Sequence, residues 1–524
     1  MRLSRTWYFS MALLALLPAC RTGGPPYAAG DALAQFEIER GFRIELFASE
    51  PAVASPVAME FDEDGRIFVV EDRGYPLETA QPLGRIKLLE DTNGDGRPDK
   101  TTIFADGLKL PTGVMRWKKG ILVTDAPFVW YLEDTDGDGR ADRREKVLEG
   151  FAFTNPQHTV NTPLYGLDNW IYLAHENATT AVVYKDRFGD PGSDIRFSGK
   201  APGPAIVDRA RNVRFQPDSG RLEALAGSSQ FGHTFDAWGH HFTLNNSNHT
   251  RHEVLSAAAV RRNPHLALAN AMQDVSDHGA AAKVFPITRN PEFQMLTNAG
   301  EFTSACGLTM YLGGGVPAWD NSSFVAEPVH NLVHRDVWTP QGSTFRTSRA
   351  TEGREFLASR DPWFRPVNFY IGPDGALYVI DYYRQLIEHP EWMSAEVSRG
   401  PDLYNGQDRG RIYRITRSDN PPPLPRGIQL SKAPDAELVA RLADPNIWWR
   451  RTAQRLLVDR HAVGMVPGLL QMARQNASPV GRLHALWTLE GLGKLDPALI
   501  EQALRDTSPG VRENAVRLAE SFSL

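Results

Sequence analysis

The chain has 524 residues, of which 42% are hydrophobic, and its formal net charge is −6. Its length favours two or more domains, and this composition can fill large cores. Phosphate recognition needs concentrated Lys and Arg, and the chain has no long basic run, so we expect no nucleic-acid binding.

The first 20 residues have the pattern of an export signal. Arg2 and Arg5 precede an apolar run over residues 7–17, which is short for a membrane span. Leu-Pro-Ala-Cys at residues 17–20 resembles a bacterial lipoprotein box that would be lipidated on Cys20, although Pro18 stands where a small residue is usual. An ordinary signal peptide with an incidental cysteine is the alternative.

Either signal predicts an exported bacterial protein, in the periplasm or at the cell surface. Contact with the membrane would be through a lipid anchor only, with residues 21–35 as a flexible tether. The mature chain would keep one further cysteine, Cys306, so we expect no internal disulfide bond.

Two stretches of the chain have nearly the same sequence. Residues 84–108 and 129–151 each contain the acidic loop DTxGDGRxD between two strand-like segments. The offset from Asp91 to Asp134 is 134 − 91 = 43 residues. One four-stranded propeller blade takes roughly 40 to 50 residues, so a duplicated blade predicts a ring of blades.

A turn followed by a short apolar strand that ends on a polar residue recurs along the chain. Asp-Gly or Asp-Asn before a β-rich run is typical of hairpins, because these turns need positive φ. The copies lie at residues 62–72, 118–125, 167–176, 237–246 and 372–381, with a weaker copy at 306–314. We therefore predict a mainly β fold, with a six-bladed β-propeller over residues 36–417.

The composition changes after the propeller. Residues 418–432 form a Pro-rich linker, and residues 433–524 have helical periodicity. Three segments begin at Asp444, Ser478 and Ser508, each with a Pro shortly after the polar start and an apolar face. They resemble HEAT-type repeats, which stack into a solenoid. The array stops without an obvious polar cap, so either the solenoid is minimal or the sequence is a fragment.

The two duplicated loops carry oxygen ligands at alternating positions. They are Asp91, Asn93, Asp95 and Asp99 in one loop and Asp134, Asp136, Asp138 and Asp142 in the other. With a glycine at the sixth position, this pattern suits Ca²⁺ and is closer to short DxDxDG loops than to EF-hands. Solvated acidic turns that bind nothing are the alternative. Bound calcium would hold an outer hairpin and would do no chemistry.

With residues 364–392, FRPVNFYIGPDGALYVIDYYRQLIEHPEW, the chain resembles a bacterial family of membrane-bound dehydrogenases. These are exported propellers similar to the quinoprotein glucose/sorbosone dehydrogenases, often followed by HEAT repeats and a haem domain. The resemblance implies pyrroloquinoline quinone (PQQ) as cofactor and a sugar or other alcohol as substrate. This chain has no Cys-x-x-Cys-His motif for attached haem, which leaves the electron acceptor open; a separate cytochrome is one option.

The closest local match begins at His158 and runs through the strand and turn that follow it. In the soluble quinoprotein sugar dehydrogenases a histidine at this distance accepts the substrate hydroxyl proton while hydride moves to the quinone. The resemblance therefore implies that His158 is the general base, a role that suits imidazole. A loop histidine hydrogen-bonded for structure is the alternative.

The repeated blade pattern points to a second set of candidate site residues, independently of the family resemblance. Counting five or six residues from the turn of each blade reaches a polar residue at a strand end, and these are Glu71, Asp125, His175, Asn245 and Asp381. Equivalent positions of successive blades surround a central channel. We hypothesise that this ring, with His158 nearby, lines the mouth of the active site, although strand ends are commonly polar for other reasons.

Other candidates rest on residue type. Arg365, Tyr382 and Arg384 flank the last blade, and arginines suit a tricarboxylate quinone. A patch of five histidines could bind a transition metal, but its irregular spacing favours ordinary strand and loop residues. The five are His233, His240, His241, His249 and His252. His330 and His334 share one strand face and are expected to pack and form hydrogen bonds.

Three functions remain open from the sequence. The first is the PQQ-dependent oxidation of a sugar or other alcohol. The second is a calcium-dependent lactonase or other hydrolase, with a channel metal held by Glu71, Asn245 and Asp381. The third is a non-catalytic cell-surface binding module whose solenoid recruits a protein partner. Propellers host unrelated functions, so the fold does not choose among them.

Overall fold

The computed structural model describes residues 26–176, 184–199, 205–206, 210–263, 265–288, 300–393, 398 and 401–522. The predicted export signal, with Cys20, lies outside these residues. None of the helices in these ranges has the length and hydropathy needed to cross a membrane.

The strands are numbered in chain order. The first nine are β1 Phe36–Ile38, β2 Phe42–Ser49, β3 Pro56–Phe61, β4 Ile67–Glu71, β5 Gly84–Glu90, β6 Lys100–Leu108, β7 Gly113–Trp117, β8 Gly120–Asp125 and β9 Phe128–Glu133. The next nine are β10 Arg143–Glu149, β11 Asn161–Tyr165, β12 Ile171–Ala174, β13 Arg196–Phe197, β14 Val213–Gln216, β15 Arg221–Ala224, β16 His233–Phe235, β17 His241–Thr243 and β18 Arg251–Glu253. The last nine are β19 Met272–Asp274, β20 Cys306–Met310, β21 Ser322–Glu327, β22 Leu332–Gln341, β23 Thr344–Arg349, β24 Leu357–Ser359, β25 Pro366–Ile371, β26 Leu377–Asp381 and β27 Arg411–Arg417.

These strands form six antiparallel sheets, which confirms the predicted six-bladed propeller. Blades one to four have the orders β3-β4-β5-β6, β7-β8-β9-β10-β13, β11-β12-β14-β15 and β16-β17-β18-β19. Blade five has the order β20-β21-β22-β24-β1, with β23 paired to β22, and blade six has the order β25-β26-β27-β2. The two duplicated acidic loops join β5 to β6 and β9 to β10, so each closes an outer hairpin.

The ring is closed by strands from both ends of the propeller. β2 pairs with β27 from Phe42 opposite Arg417 to Ser49 opposite Arg411. Residues 26–35, which lie in the predicted tether, pack against this closure. They include a 3₁₀ turn over Asp31–Gln35, and the Tyr27 carbonyl accepts a hydrogen bond from Arg411 at 2.6 Å.

Among the helices whose bounds lie within the described residues, two short ones are in the propeller part and six follow it, which confirms the predicted helical region. They are α1 Lys185–Phe188, α2 Ala257–Arg261, α3 Asp435–Arg441, α4 Ile447–Asp459, α5 Val466–Gln475, α6 Pro479–Gly491, α7 Pro497–Ala503 and α8 Pro509–Ala519. The last six form three consecutive pairs. Asn446 and Ser478 cap α4 and α6 by accepting the Trp448 and Gly481 amides, because free N–H groups at a helix start need acceptors.

The helices α4, α6 and α8 lie across one face of the propeller. They contact the turns between the first and second strands of several blades: Gln454 donates to the Leu167 carbonyl at 2.8 Å, and Asn514 donates to the Trp238 carbonyl at 2.9 Å. A Cβ on Gly510 would lie 2.1 Å from the Trp238 ring, so this close approach requires glycine. The second strands end on the opposite face, since Glu71 pairs with the first residue of β3.

One buried ion-pair cluster joins the two parts. Glu63, in the turn after β3, lies 2.9 Å from Arg116 on β7 and 3.0 Å from Arg455 on α4. Burial opposes ionisation of Glu63, but Arg455 and Arg116 outweigh it and lower its pKa to about 2. The helical layer is therefore fixed to the propeller by paired charge as well as by apolar packing.

Candidate active site

A cavity of about 110 Å³ lies on the channel axis. It receives residues from all six blades or from the loops that lead into them. One from each is Val57, Thr112, Gln157, Gln230, Cys306 and Val367. Because these residues lie at the start of first strands, or just before them, the cavity is at the propeller face opposite the helices.

Hydrogen-bonded side chains form part of the cavity wall. The Tyr75 hydroxyl donates to the Ile387 carbonyl at 2.6 Å and accepts from the Gln157 amide at 2.8 Å. The Tyr382 hydroxyl donates to the Asp72 carbonyl at 2.7 Å. These bonds hold polar groups at the cavity in fixed positions.

Two carboxyl groups also line the cavity. Burial raises the pKa of Asp72 to about 8, against the attraction of Arg384. Burial, together with Glu327, raises the pKa of Glu388 to about 8. Asp72 Oδ1 has no hydrogen-bond partner among the described residues. At neutral pH both groups are thus mainly protonated, and each offers an O–H donor to a ligand.

This protonation predicts a pH-dependent stability. A carboxyl with a raised folded-state pKa stabilises the fold most below its ordinary pKa, and this contribution is lost as the pH rises through about 8. Asp72→Asn mimics the protonated acid, so its free energy of unfolding, relative to wild type, should rise between pH 5 and pH 9 by about 2 to 5 kcal/mol. Urea denaturation at each pH measures this. For the exposed control Asp106→Asn, the free energy of unfolding relative to wild type should change by less than about 0.5 kcal/mol over the same pH range. If the free energy of unfolding has the same pH dependence in wild type and Asp72→Asn, Asp72 is ionised in the folded protein.

The two predicted cofactor arginines are held by other bonds. Arg365 donates to the carbonyls of Arg384, Pro328 and Gln385 at 3.0, 2.9 and 2.6 Å. Arg384 donates to Ser55 at 3.0 Å and stacks on the Tyr382 ring. Both arginines are buried and neither lines the cavity, whereas Tyr382 does.

The five residues of the predicted ring do not line the cavity. They are Glu71, Asp125, His175, Asn245 and Asp381. Glu71 pairs with Arg85 and Lys87 and accepts the Ala54 amide at 2.7 Å.

The other ring residues hold nearby loops. Asp125 accepts the Lys109 and Leu110 amides, and Asp381 accepts those of Arg365 and Tyr383. The His175 amide donates to the Asn212 side chain, and the Asn245 side chain accepts the Asn248 amide.

Three of the residues that do line the cavity come one position later in the sequence than the predicted ring residues. Asp72, Asn246 and Tyr382 directly follow Glu71, Asn245 and Asp381, and all three line the cavity. Successive side chains of an extended chain point to opposite sides, so a count that is one residue short selects the wrong side.

His158 stands next to the cavity-lining Gln157. Its Nδ1 lies 2.8 Å from Glu176 Oε2, and its amide donates to the Asn155 carbonyl at 3.0 Å. A carboxylate at Nδ1 leaves Nε2 as the proton acceptor. The histidine–carboxylate pair therefore has the arrangement of an oriented general base.

A second histidine lies at the same side of the cavity. His389 follows the lining residue Glu388, and burial, then His158, lower the pKa of His389 to about 4. The structure thus places His158 and a neutral His389 near each other on two different loops, each directly after a cavity-lining residue. Glu176 and Glu388 were missed from the sequence, although Glu388 lies in the segment that carries the family resemblance.

The five histidines of the predicted patch do not meet at one point. His233 and His241 bond to each other at 2.9 Å, and His240 lies between Asp236 and Glu513. The remaining two bond to other partners, His252 to Thr344 and His249 to Asp336. His330 and His334 bond to Glu327 and Glu355 at 3.0 and 2.8 Å.

The acidic loops bring together part of the predicted ligand sets. Carboxylate oxygens of Asp134, Asp136 and Asp138 lie within 4.8 Å of one another. Asp142 instead accepts the amide and hydroxyl of Thr135.

The first loop is hydrogen-bonded in a similar way. Asp99 accepts the amide and hydroxyl of Thr92. Asp91 accepts the Gly94 and Gly96 amides, while Asn93 and Asp95 accept the Asp95 and Arg97 amides. The aspartate at the ninth position of each loop, Asp99 or Asp142, therefore forms hydrogen bonds within its own loop.

Several solved structures are similar to this chain. A calcium structure of the Trichoderma reesei carbohydrate-active enzymes family AA12 has 15% identity and a TM-score of 0.41, covering 73% of this chain and 97% of that chain. The holo form of the pyranose dehydrogenase PQQ domain from Coprinopsis cinerea has 14% identity and a TM-score of 0.39, covering 73% and 97%. The apo form of the soluble aldose sugar dehydrogenase from Escherichia coli has 12% identity and a TM-score of 0.39, covering 72% and 99%. Two of the three are named as sugar dehydrogenases.

The chain matches none of the curated proteins compared with it. A family model described as a domain of unknown function, DUF7133, matches residues 28–419, which include all six blades. The match spans 419 − 28 + 1 = 392 of the 524 residues. The chain therefore belongs to the DUF7133 family.

Proposed function

We propose that the chain is an oxidoreductase that acts on a sugar or other alcohol bound in the axial cavity, with His158 as the general base. One observation carries this proposal: His158, which is paired with Glu176, directly follows the cavity-lining Gln157 in the sequence, and the cavity is walled by hydrogen-bonding groups. The pair supplies a base, and the cavity supplies a place for a hydroxylated molecule.

The cavity suits an uncharged ligand with several hydroxyl groups. Protonated Asp72 and Glu388 can donate to hydroxyl oxygens, and the Gln157 and Gln230 side chains can both donate and accept. The walls also include apolar side chains such as Val57 and Val367, which suit the C–H faces of a sugar.

His158 would accept the substrate proton at Nε2. Its Nδ1–H would keep donating to Glu176, whose charge stabilises the imidazolium that forms. The alkoxide then expels hydride from its carbon to form a carbonyl. The hydride, with its two electrons, needs an acceptor, and the family resemblance implies a quinone for this role.

The cavity itself does not fit PQQ. This cofactor carries three carboxylates, and bound carboxylates need cations or several N–H donors. The lining residues in the described part of the chain include two acids and no Lys or Arg, and Arg365 and Arg384 are engaged elsewhere. The described lining therefore gives PQQ no site in this cavity, and a quinone-class hydride acceptor would meet the substrate from outside it. A cytochrome, which takes one electron at a time, could then reoxidise that quinone.

Dye reduction with a panel of sugars and polyols, with and without added PQQ and Ca²⁺, tests the activity. Val367→Trp should fill the cavity and lower kcat/KM by at least about 100-fold, because the substrate can no longer enter. Val337→Trp, at a position 38% exposed on β22, is the matched control and should keep wild-type turnover. A folded Val367→Trp variant with full activity would place catalysis elsewhere.

A non-catalytic binding module is the second candidate, favoured by the absence of lining Lys or Arg in the described part of the cavity. It predicts saturable sugar binding in calorimetry without turnover in any acceptor. The calcium-dependent hydrolase lacks comparable support, because Glu71 pairs with two basic residues and Asp381 with backbone amides. Export, and lipid attachment at Cys20, stay predictions from the sequence.

We also propose that Ca²⁺ binds the loop of Asp134, Asp136 and Asp138 and holds its hairpin. Saturation with Ca²⁺ at about 100 times the dissociation constant should stabilise the protein by about 2.7 kcal/mol. Asp136→Asn should abolish most of this gain in thermal unfolding, since the ion loses a charged ligand. An equal gain in wild type and variant would rule out this loop.

A further inference from the structure

Outside the set of residues that line the axial cavity, three histidines and one aspartate meet between blades four and five. They are His249, His278, His334 and Asp336, and one potential ligand atom of each lies within 4.8 Å of every other. His249 is in the loop before β18 and His278 in the loop after β19, whereas His334 and Asp336 are on β22. The cluster therefore bridges two blades.

Asp336 is at the centre of the cluster. Its two oxygens lie 3.0 Å from His249 Nε2 and 2.9 Å from His334 Nε2, and 3.7 Å separates Oδ1 from His278 Nε2. Four ligands placed tetrahedrally at 2.0 to 2.1 Å from a zinc ion lie about 3.3 Å apart. The observed separations bracket this value, so small side-chain shifts would complete a tetrahedral site.

One ring nitrogen of His278, Nε2, is left without a hydrogen bond among the described residues. Its Nδ1 lies 2.8 Å from the Asp277 carboxylate, so the ring donates there, and a neutral ring then presents a lone pair at Nε2. That nitrogen is buried and has no hydrogen-bond partner among the described residues. A lone pair facing the Asp336 carboxylate is unfavourable unless a cation lies between them.

Outer carboxylates orient two of the rings. Glu355 lies 2.8 Å from His334 Nδ1, where the Arg349 guanidinium, itself bound to Glu355, also lies at 3.0 Å. The Asp277 carboxylate lies 2.8 Å from His278 Nδ1. Such carboxylates fix the ring and its tautomer for a metal at the other nitrogen. Asp277 is in turn held by the Ser348 hydroxyl at 2.5 Å, so the His278 loop is anchored to blade five.

The charges of the cluster also favour a cation. Three carboxylates, those of Asp336, Asp277 and Glu355, face the three rings. Two arginines contact them: Arg349 lies 2.8 Å from Glu355, and Arg346 lies 3.2 Å from Asp277. With neutral histidines the cluster keeps a net negative charge. A proton on His334 is the rival account, but it leaves His278 Nε2 facing the Asp336 carboxylate.

We propose that His249, His278, His334 and Asp336 bind one divalent transition metal of the Zn²⁺ type, which clamps blade four to blade five. Imidazole nitrogens and one carboxylate suit zinc among the common metals. All four positions are filled by protein ligands and three of the four residues are buried, so the site is closed and structural. None of the four residues lines the axial cavity, so the proposed metal does not take part in the channel chemistry.

Zinc titration of the chelator-stripped full chain tests the proposal. Millimolar CaCl₂ is kept present so that the acidic loops do not take up zinc. Equilibrium dialysis against ZnCl₂ should give one bound ion per chain, and Co²⁺ should give the visible absorption of a tetrahedral site. Zinc should also raise the unfolding temperature.

Ligand variants locate the ion. His278→Ala and Asp336→Asn should weaken zinc binding by at least about 100-fold, and Glu355→Gln, which acts through His334, by about 10- to 100-fold. The exposed control His265→Ala should bind zinc as the wild type does. If Asp336→Asn does not fold, His278→Ala decides, because His278 is partly exposed. A folded wild type that binds no zinc at micromolar concentrations, or ligand variants that keep its affinity, would overturn the proposal.

Discussion

Replacing His158 by Ala should lower kcat/KM for the best substrate by about 100- to 10,000-fold, the range typical of a lost general base. Only the proton acceptor is removed, and the cavity residues stay in place, so most of the loss should be in kcat and KM should change little. Steady-state dye reduction measures both constants.

Glu176→Gln tests whether the carboxylate of Glu176 assists His158 in catalysis or only holds the loop in place. Glutamine keeps the size of the side chain but loses the charge that stabilises the imidazolium, so kcat should fall by at least about ten-fold with KM retained. His265→Ala is the control and should keep wild-type constants. If His158→Ala has wild-type kcat, the pair of His158 and Glu176 is structural, and the binding module becomes the better account.

Replacing Glu63 by Gln should lower the free energy of unfolding by about 3 to 5 kcal/mol, because it leaves Arg116 and Arg455 as buried charges without their shared partner. Chemical denaturation at pH 7 measures the loss. The exposed pair of Glu437 and Arg441 provides a control, and Glu437→Gln should cost less than about 0.5 kcal/mol.

The pH dependence of this loss has a defined sign. The pKa of Glu63 is lowered to about 2, so its ionised form stabilises the fold above the ordinary pKa of a glutamate, and this contribution is lost as the pH falls toward 2. The difference between wild type and Glu63→Gln should therefore shrink between pH 5 and pH 2. A constant difference would mean that the variant acts through packing and not through charge.

The propeller could be predicted because each blade has its own local signal. Asp-Gly and Asp-Asn turns fix the hairpins after β3, β11 and β25, and the duplicated loop gives the blade spacing directly. The closure by β2 could not be found in this way, because β2 pairs with a strand more than 360 residues away and no Asp-Gly or Asp-Asn turn adjoins it.

The site was harder to predict than the fold. Counting from the turn chose Glu71 and Asp381, which bond to neighbouring basic side chains and backbone amides, in place of the lining residues Asp72 and Tyr382. Pairs such as His158 with Glu176 join different loops, and no spacing within one loop reports them. The zinc cluster combines residues up to 87 positions apart and has no sequence motif.

A crystal structure of the chain with its best sugar or polyol substrate would show whether the substrate binds in the axial cavity next to His158. The account predicts the molecule in the axial cavity, in contact with Asp72 and Glu388, with one hydroxyl oxygen about 2.6 to 3.2 Å from His158 Nε2. A substrate bound outside this cavity, with His158 still paired to Glu176 and touching nothing else, would contradict it.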